Sequence, residues 1–205
     1  MLFTSRLIGQ SAVHKGQVVA VFLTFLSMFV ISLPTQALEI GVSGHQGTEY
    51  ETQGYSLFIG DNFSRRSPFY WRLGVSRYDE VFVEWNNRNL KFPINNAELS
   101  LSYRHQLSSR SPAARRFSLE YQIGASASLT DNKFTWPELN EEKYFSETGD
   151  INGFVAISAH YKITSNVSAI AGVKYFPKMS EFDSISSVFL GFKYNFNFGQ
   201  TGYGN

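Results

Sequence analysis

The clearest feature of this chain is an alternation of apolar and polar residues that recurs eight times after residue 37. In residues 117–129, apolar residues occupy every odd position, while Ser, Glu, Gln and Gly occupy the even ones. A period of two residues is typical of a β-strand with one apolar face and one polar face. The eight segments begin near Leu38, Tyr55, Phe69, Ala97, Phe117, Ile151, Val167 and Ser187. We therefore predict eight antiparallel strands.

The two faces of these strands predict a barrel in a membrane. Segments of about ten residues have the length that a tilted strand needs to cross the hydrocarbon core. The polar face is rich in Gly and Ser and also carries charges, at Glu39, Arg72, Glu98, Arg104, Glu120, Lys162, Lys174 and Lys193. The apolar face carries aromatic residues near one end, at Phe69, Trp71, Tyr103, Phe117, Tyr161, Tyr194 and Phe196. A polar lumen and an aromatic belt at the headgroups account for both sets.

The expected fold is all-β, an eight-stranded antiparallel up-and-down transmembrane β-barrel with a lumen filled by side chains. A soluble β-sandwich, which also alternates, is the competing interpretation. The connections favour the barrel and give it a direction. Short or moderate connections at residues 64–68, 106–115 and 164–166 suit the periplasmic side, and long ones at residues 77–95 and 130–150 suit the outside. Both ends of the barrel domain then face the periplasm.

Residues 1–37 have the pattern of an export signal. Arg6 and Lys15 precede a 16-residue apolar stretch at residues 18–33, and Pro34 follows it. Small residues before position 38 predict cleavage after Ala37. The domains are then a signal peptide at residues 1–37 and an outer-membrane β-barrel at residues 38–205. An uncleaved anchor is the alternative, although about 20 apolar residues would suit one better.

Composition and charge limit the kinds of functional site that this chain can have. The chain of 205 residues has no Cys, which excludes disulfides, a thiolate nucleophile and Cys-ligated metal. Hydrophobic residues make up 43% and aromatic residues 16%, yet the mean hydropathy is −0.18. Apolar and polar residues must therefore be closely interleaved along the chain. The formal net charge is +1, without the concentrated basic face of nucleic-acid binders. We expect no cofactor, no metal site and no nucleic-acid partner.

The last segment carries a resemblance to a known family. Residues 191–196, with Gly191 followed by Phe192, Tyr194 and Phe196, look like the C-terminal assembly signal of outer-membrane barrels. Over residues 38–205 the chain resembles the small eight-stranded barrels of the OmpA and OmpX type. The resemblance implies insertion by the barrel-assembly machinery and contact with outer-membrane lipid and lipopolysaccharide. The chain departs from the family at Phe189, where a polar residue is usual, and in residues 197–205, which extend past the last aromatic.

One trio of residues raises the question of catalysis. Ser158 and His160 share the polar face, and Glu120 belongs to the neighbouring segment. Such residue types can form a nucleophilic site. The outer-membrane lipid A deacylases, which the trio resembles, use Ser, His and Glu but in a His-x-Ser order that this chain lacks. A hydrogen bond within the lumen is the favoured interpretation.

The charged residues predict a plugged lumen. Barrel closure brings Glu39 beside Lys193, and neighbouring strands bring Arg104 beside Glu120. An eight-stranded barrel is only wide enough for its own side chains, and an unpaired buried charge is costly. We therefore expect paired charges rather than a general pore.

The connection at residues 130–150 is the main candidate for an extracellular ligand. It mixes acidic residues with Lys133, Lys143 and four aromatic residues, and it lacks the spacing of a calcium loop. A host protein, a phage, or divalent cations bridging lipopolysaccharide would suit it, and so would plain solvent. The leading hypothesis is a structural or adhesion-like barrel without enzymatic activity. A lipid A-modifying enzyme, a narrow channel and a soluble periplasmic β-protein are the alternatives.

Overall fold

The computed structural model describes residues 38–48, 52–64, 67–85, 88–107, 111–136, 141–182 and 184–196. Within these ranges the chain forms ten strands and one turn of 3-10 helix, Ala114–Arg116. The strands are β1 (Leu38–Gly47), β2 (Gln53–Asn62), β3 (Phe69–Trp85), β4 (Arg88–Gln106), β5 (Phe117–Ser128), β6 (Asn132–Trp136), β7 (Glu141–Ser146), β8 (Ile151–Lys162), β9 (Val167–Phe176) and β10 (Ile185–Phe196).

Eight of these strands close into a barrel. The order around the ring is β1, β2, β3, β4, β5, β8, β9 and β10, with β10 returning to β1, and every neighbouring pair is antiparallel. At the closing seam, Leu38 lies opposite Phe196 and Gly47 lies opposite Ser187. Closure leaves no unpaired edge in the ring. The predicted eight-stranded up-and-down barrel is confirmed.

The alternation separates an apolar outside from a mixed interior. Along β8, Ile151, Val155 and Ile157 are exposed, while Phe154, Ser158 and His160 are buried. Strand β10 shows the same pattern, with Leu190 at 66% exposure on the outer face. A continuous band of exposed apolar side chains surrounds the ring, which is the outer surface of a barrel that faces lipid.

The barrel has two distinct ends. At the turn end, which holds Leu38 and Phe196, short connections join the strands at residues 63–68, 107–116 and 163–166. Aromatic rings pack in pairs on the outer face there, with 5.4 Å between the centroids of Phe69 and Tyr103 and 4.8 Å between Phe117 and Tyr161. Trp71 shares this face, as predicted, but its side chain is only 3% exposed. The opposite end, the loop end, carries the remaining connections.

The predicted loop at residues 77–95 is wrong, because most of it is strand. Strands β3 and β4 run on together to Trp85 and Arg88. The ladder slips by one residue between Tyr78 and Val81, where Pro93 stands on β4 and has no N–H to donate. The bulge turns Val81 inward, whereas unbroken alternation from Tyr78 would have turned it outward.

The predicted loop at residues 130–150 also contains regular structure. Strands β6 and β7 form a separate two-stranded sheet. Phe145 of β7 packs with residues of the β9–β10 connection, and its carbonyl oxygen accepts a hydrogen bond of 3.0 Å from the Glu181 N–H. We call the resulting apolar cluster the loop-end cap. Its buried members are Tyr78, Val81, Ile94, Phe145, Phe154, Phe176, Met179 and Phe182.

Two sequence predictions lie outside the described residues. These are the signal peptide at residues 1–37 and the course of residues 197–205 after the last strand. Strand β1 begins at Leu38, the first residue after the predicted cleavage position. In the described part of the chain, no helix has the length and apolar character needed to cross a membrane.

Candidate functional site

The lumen near the turn end holds a group of four buried charges and one partly buried charge, which we call the turn-end ion cluster. Its members are Glu39, Arg72, Arg104, Glu120 and Lys193. Lys193 Nζ lies 2.8 Å from Glu39 Oε2, and Arg104 Nε lies 2.8 Å from Glu120 Oε2. Arg72 Nη2 lies 3.0 Å from both Glu39 Oε1 and Glu120 Oε2, so it joins the two pairs. Hydrogen bonds between charged groups of this kind are the strong ones.

Register explains why these side chains meet. Arg104 and Glu120 lie directly opposite each other on β4 and β5. Glu39 and Lys193 lie on the two strands of the closing seam, two rungs apart. Cross-strand neighbours at this spacing are within reach of long side chains.

Aromatic rings position both arginines of the cluster. The Arg72 guanidinium carbon lies 4.4 Å from the Phe58 ring centroid, and that of Arg104 lies 3.8 Å from the Tyr70 centroid. The Phe58 ring in turn lies over Gly41, where a Cβ atom would collide with it. Stacking against a ring stabilises a cation and limits its rotamers. The aromatic residues on the polar face therefore support the ion pairs.

A second buried ion pair lies closer to the loop end. Lys174 Nζ is 2.6 Å from both oxygens of Glu98, and Ser76 donates a hydrogen bond of 2.5 Å to Glu98 Oε1. The Lys174 ammonium also lies 4.2 Å from the Phe154 ring centroid, which connects this pair to the loop-end cap. The lumen is thus filled in layers, with ions near the turn end and apolar side chains at the loop end.

His45 is a lumen residue that the sequence reasoning did not select. Its Nε2 lies 3.0 Å from Ser56 Oγ, and its Nδ1 lies 3.3 Å from Ser187 Oγ. Its ring meets Tyr78 edge to face at 5.4 Å. A signal was present, because His45 has the same parity on β1 as Glu39 and Ser43.

One member of the predicted lumen network is misplaced. Lys162 is exposed at the end of β8 and makes no ion pair with the described residues, so its assignment to the network is wrong. The strand ends there, and the side chain lies at the solvent-exposed mouth of the lumen.

The residues of the predicted assembly signal lie on both faces of β10. Gly191 faces the lumen at the closing seam, and a Cβ there would collide with the Val42 carbonyl oxygen. Tyr194 lies exposed on the outer face, with its ring 4.6 Å from that of Phe196. Their role in assembly stays a prediction.

The comparisons with known proteins bear on the fold. No protein-family model matches the sequence, and no curated protein matches it significantly. The N-terminal β-barrel domain of Pseudomonas aeruginosa OprF is similar in structure, with a TM-score of 0.54 and 14% identity over 79% of this chain and 98% of that chain. The chain has the fold of a small outer-membrane β-barrel. The fold implied by the resemblance to the OmpA and OmpX type is confirmed.

Two further structures align with this β-barrel at lower scores. They are Ail of Yersinia pestis, with a TM-score of 0.48, 13% identity and coverage of 79% of this chain and 99% of that one, and Neisserial surface protein A. The latter has a TM-score of 0.42 and 18% identity, with coverage of 79% and 95%. Of these three structures, the OprF domain has a TM-score above 0.5.

The barrel brings the candidate catalytic trio together, but not as a triad. Ser158 Oγ lies 2.9 Å and Glu120 Oε2 lies 3.5 Å from the same atom, His160 Nε2. A triad needs the hydroxyl and the carboxylate on opposite ring nitrogens, and His160 Nδ1 has no partner among the described residues. Glu120 is also bound by two arginines. The arrangement is that of a buried polar network.

The lumen of this barrel leaves little free space. The cavity between the two ion groups, lined among others by His45, Glu98 and Lys174, has a volume of about 40 Å³. A space of this size holds only a few water molecules. The predicted side-chain-filled lumen is confirmed. Within the described ranges, no group of three or more His, Asp or Glu residues could hold a metal ion.

Proposed function

We propose that this protein is a non-enzymatic outer-membrane barrel that contacts other molecules through its loop end, in a structural or adhesion-like role. The observation that supports this proposal is the loop-end cap. Eight buried apolar residues pack at the loop end, in contact with Lys174 of the second ion pair, and join β3, β4, β7, β8, β9 and the β9–β10 connection into one folded layer. A loop end that served only to link strands would not need a core of its own.

The proposal assigns the turn end to the periplasm and the loop end to the cell surface. Short turns on the periplasmic side and long connections outside are the rule for such barrels. In this account residues 1–37 direct export, and the last strand, with Gly191, Tyr194 and Phe196, is recognised by the barrel-assembly machinery. Outer-membrane lipid and lipopolysaccharide then surround the band of exposed apolar side chains.

The interior supports a role at the surface rather than transport. The turn-end ion cluster and the Glu98–Lys174 pair cross the lumen at two levels, and the loop-end cap covers it. His160 lacks the arrangement of a catalytic base, and Ser158 beside it is buried. These features favour the structural or adhesion-like hypothesis over the narrow channel and the lipid A-modifying enzyme.

The loop end presents an ordered surface of mixed charge. The exposed ion pairs Lys91–Glu80 and Lys133–Glu142 lie on the β3–β4 and β6–β7 hairpins, and Tyr144 is exposed beside the second pair. Asn132 fixes the base of β6, since its Nδ2 donates to the Pro93 carbonyl oxygen at 3.0 Å and to Ser146 Oγ at 2.8 Å. A surface that is ordered before binding loses less entropy when a partner binds.

A cell-surface binding assay tests this proposal. Bacteria expressing the protein would be applied to epithelial cells and to surfaces coated with fibronectin, laminin or collagen. We expect adhesion above that of vector-only cells, and at least a tenfold loss when β6 and β7 are replaced by a short Gly-Ser linker. Ser64→Ala, at the opposite end, serves as the control and should leave adhesion unchanged. Adhesion equal to that of vector-only cells on every surface would contradict the role.

Mass spectrometry of lipid A from the same cells tests the enzyme alternative. We expect identical lipid A with and without expression of the protein. A new lipid A species that disappears in both Ser158→Ala and His160→Ala would overturn the non-enzymatic assignment.

A further inference from the structure

The two ends of the barrel carry opposite charge. Thirteen of the 17 acidic residues fall in the loop-end segments, residues 48–52, 77–95, 129–150 and 177–184, against six basic ones. The turns at residues 62–68 and 107–116 contain no acidic residue and five arginines, Arg65, Arg66, Arg110, Arg115 and Arg116. An uneven distribution of this kind attracts opposite charge to each end.

The turn end also has a pocket lined by basic residues. It has a volume of about 320 Å³, and four cations line it, Arg104, Arg115, Arg116 and Lys162. We call it the basic vestibule. Ser67, Gln106 and Ser118 add polar atoms to its wall, and the described lining includes no carboxylate. Its chemistry is that of an anion site.

The acids beneath the vestibule do not neutralise it. Glu39 and Glu120 already face three cations, Arg72, Arg104 and Lys193. Arg104 donates to these carboxylates through Nε and Nη2. Arg116 and Lys162 are exposed and form no ion pair with any described residue. Donors for a ligand therefore remain available.

The position of the vestibule indicates the source of the anion. Its wall includes Phe117, which lies on the outer face with 40% exposure and packs against Tyr161 at 4.8 Å. The pocket thus runs from the mouth of the lumen to the surface that faces lipid. Guanidinium and ammonium groups bind phosphate oxygens strongly, and aromatic residues suit the boundary between headgroups and acyl chains.

We propose that the basic vestibule binds the phosphate group of an anionic phospholipid in the leaflet at the turn end. The acyl chains lie outside, against Phe117 and Tyr161. This inference rests on the membrane placement given under the proposed function, but it does not depend on any role of the loop end. The bound lipid would fix the turn end at the level of the headgroups.

Native mass spectrometry of the full-length folded protein tests this site. Detergent-solubilised barrel would be titrated with phosphatidylglycerol, phosphatidylcholine or inorganic phosphate. We expect selective retention of phosphatidylglycerol. The double variant Arg116→Gln/Lys162→Gln should weaken its binding about tenfold or more, since each surface cation contributes about 1 kcal/mol toward an anionic lipid surface. Lys133→Gln/Lys178→Gln removes two exposed cations at the loop end and should leave retention unchanged.

Each other outcome overturns the assignment. Equal retention of the two lipids, or equal losses in the two double variants, would show contact with lipid that is not specific to the vestibule. Displacement of the lipid by millimolar inorganic phosphate would show that free phosphate is the ligand. A heat-dependent shift in gel mobility verifies folding in every sample, so loss of lipid selectivity in a folded barrel contradicts this inference alone.

Discussion

Individual buried charges in this lumen are satisfied by several partners each. Glu39 is within 3.2 Å of nitrogen atoms from three cations, Arg72, Arg104 and Lys193. Burying a charge is costly unless it is paired and hydrogen-bonded. Because the pairs share members, the loss of one carboxylate leaves several cations undercompensated at once.

Glu39→Gln tests this consequence at the scale of one residue. The substitution keeps the shape of the side chain and removes its charge, so we expect the free energy of unfolding to fall by about 3–5 kcal/mol. Denaturant titration of the barrel in lipid vesicles measures the change. Glu142→Gln removes a carboxylate from the exposed pair with Lys133, and it should cost less than about 1 kcal/mol.

A second substitution shows whether the cost comes from the pair. Lys193→Met removes the cation that Glu39→Gln leaves without its partner, so the double variant should lose less stability than the sum of the single variants. Strict additivity of the two changes would contradict direct coupling between Glu39 and Lys193.

The sequence could predict which face of its strand each of these side chains occupies, but not the contacts that it makes. Alternation assigned Glu39, Arg72, Glu120 and Lys193 to the lumen, and strand order brought two pairs together. The bridge made by Arg72 could not be predicted, because it depends on register and on stacking against Phe58. Lys162 fits the alternation equally well, but β8 ends at that residue.

At the scale of elements, the loop end is built from strands that continue beyond the ion pairs. The bulge opposite Pro93 turns β3 so that Val81 joins the buried cluster with Tyr78. Sequence reasoning assigned this region to a loop. Val81 and Val83 stand at alternate positions in the sequence, as one face of a strand requires. The bulge, however, reverses which face these residues occupy relative to the first half of β3.

Phe145→Ala tests the cap as a structural element. Truncating a fully buried Phe costs about 3–5 kcal/mol, and the loss falls on the loop end rather than on the barrel ladder. We expect externally added protease to cut the loop end about a hundred times faster, because local opening becomes more frequent. The membrane-embedded strands should stay intact.

The neighbouring residue provides the control for that experiment. Tyr144→Ala removes a ring of similar size from the exposed side of β7, and cleavage should change by less than about threefold. Equal acceleration in both variants would contradict the assignment of Phe145 to a packed core.

At the scale of the whole molecule, the closed ladder explains both the sequence pattern and the surface. Closure through β1 and β10 pairs every strand of the ring, and the apolar outer face then has only lipid to contact. The sequence was sufficient for this level, since strand number and alternation determine it. The opposite charges of the two ends can also be predicted from the sequence. The basic vestibule cannot, because it depends on how the turns fold.

The central claim is a closed barrel that spans a membrane, and gel mobility with and without boiling in detergent tests it most directly. A closed antiparallel ladder resists detergent until it is heated, because no edge strand is available for unzipping. We therefore expect the unboiled protein to migrate at a different position from the boiled chain of 23.2 kDa or its processed form. Identical mobility of a natively extracted sample before and after boiling would contradict the closed barrel.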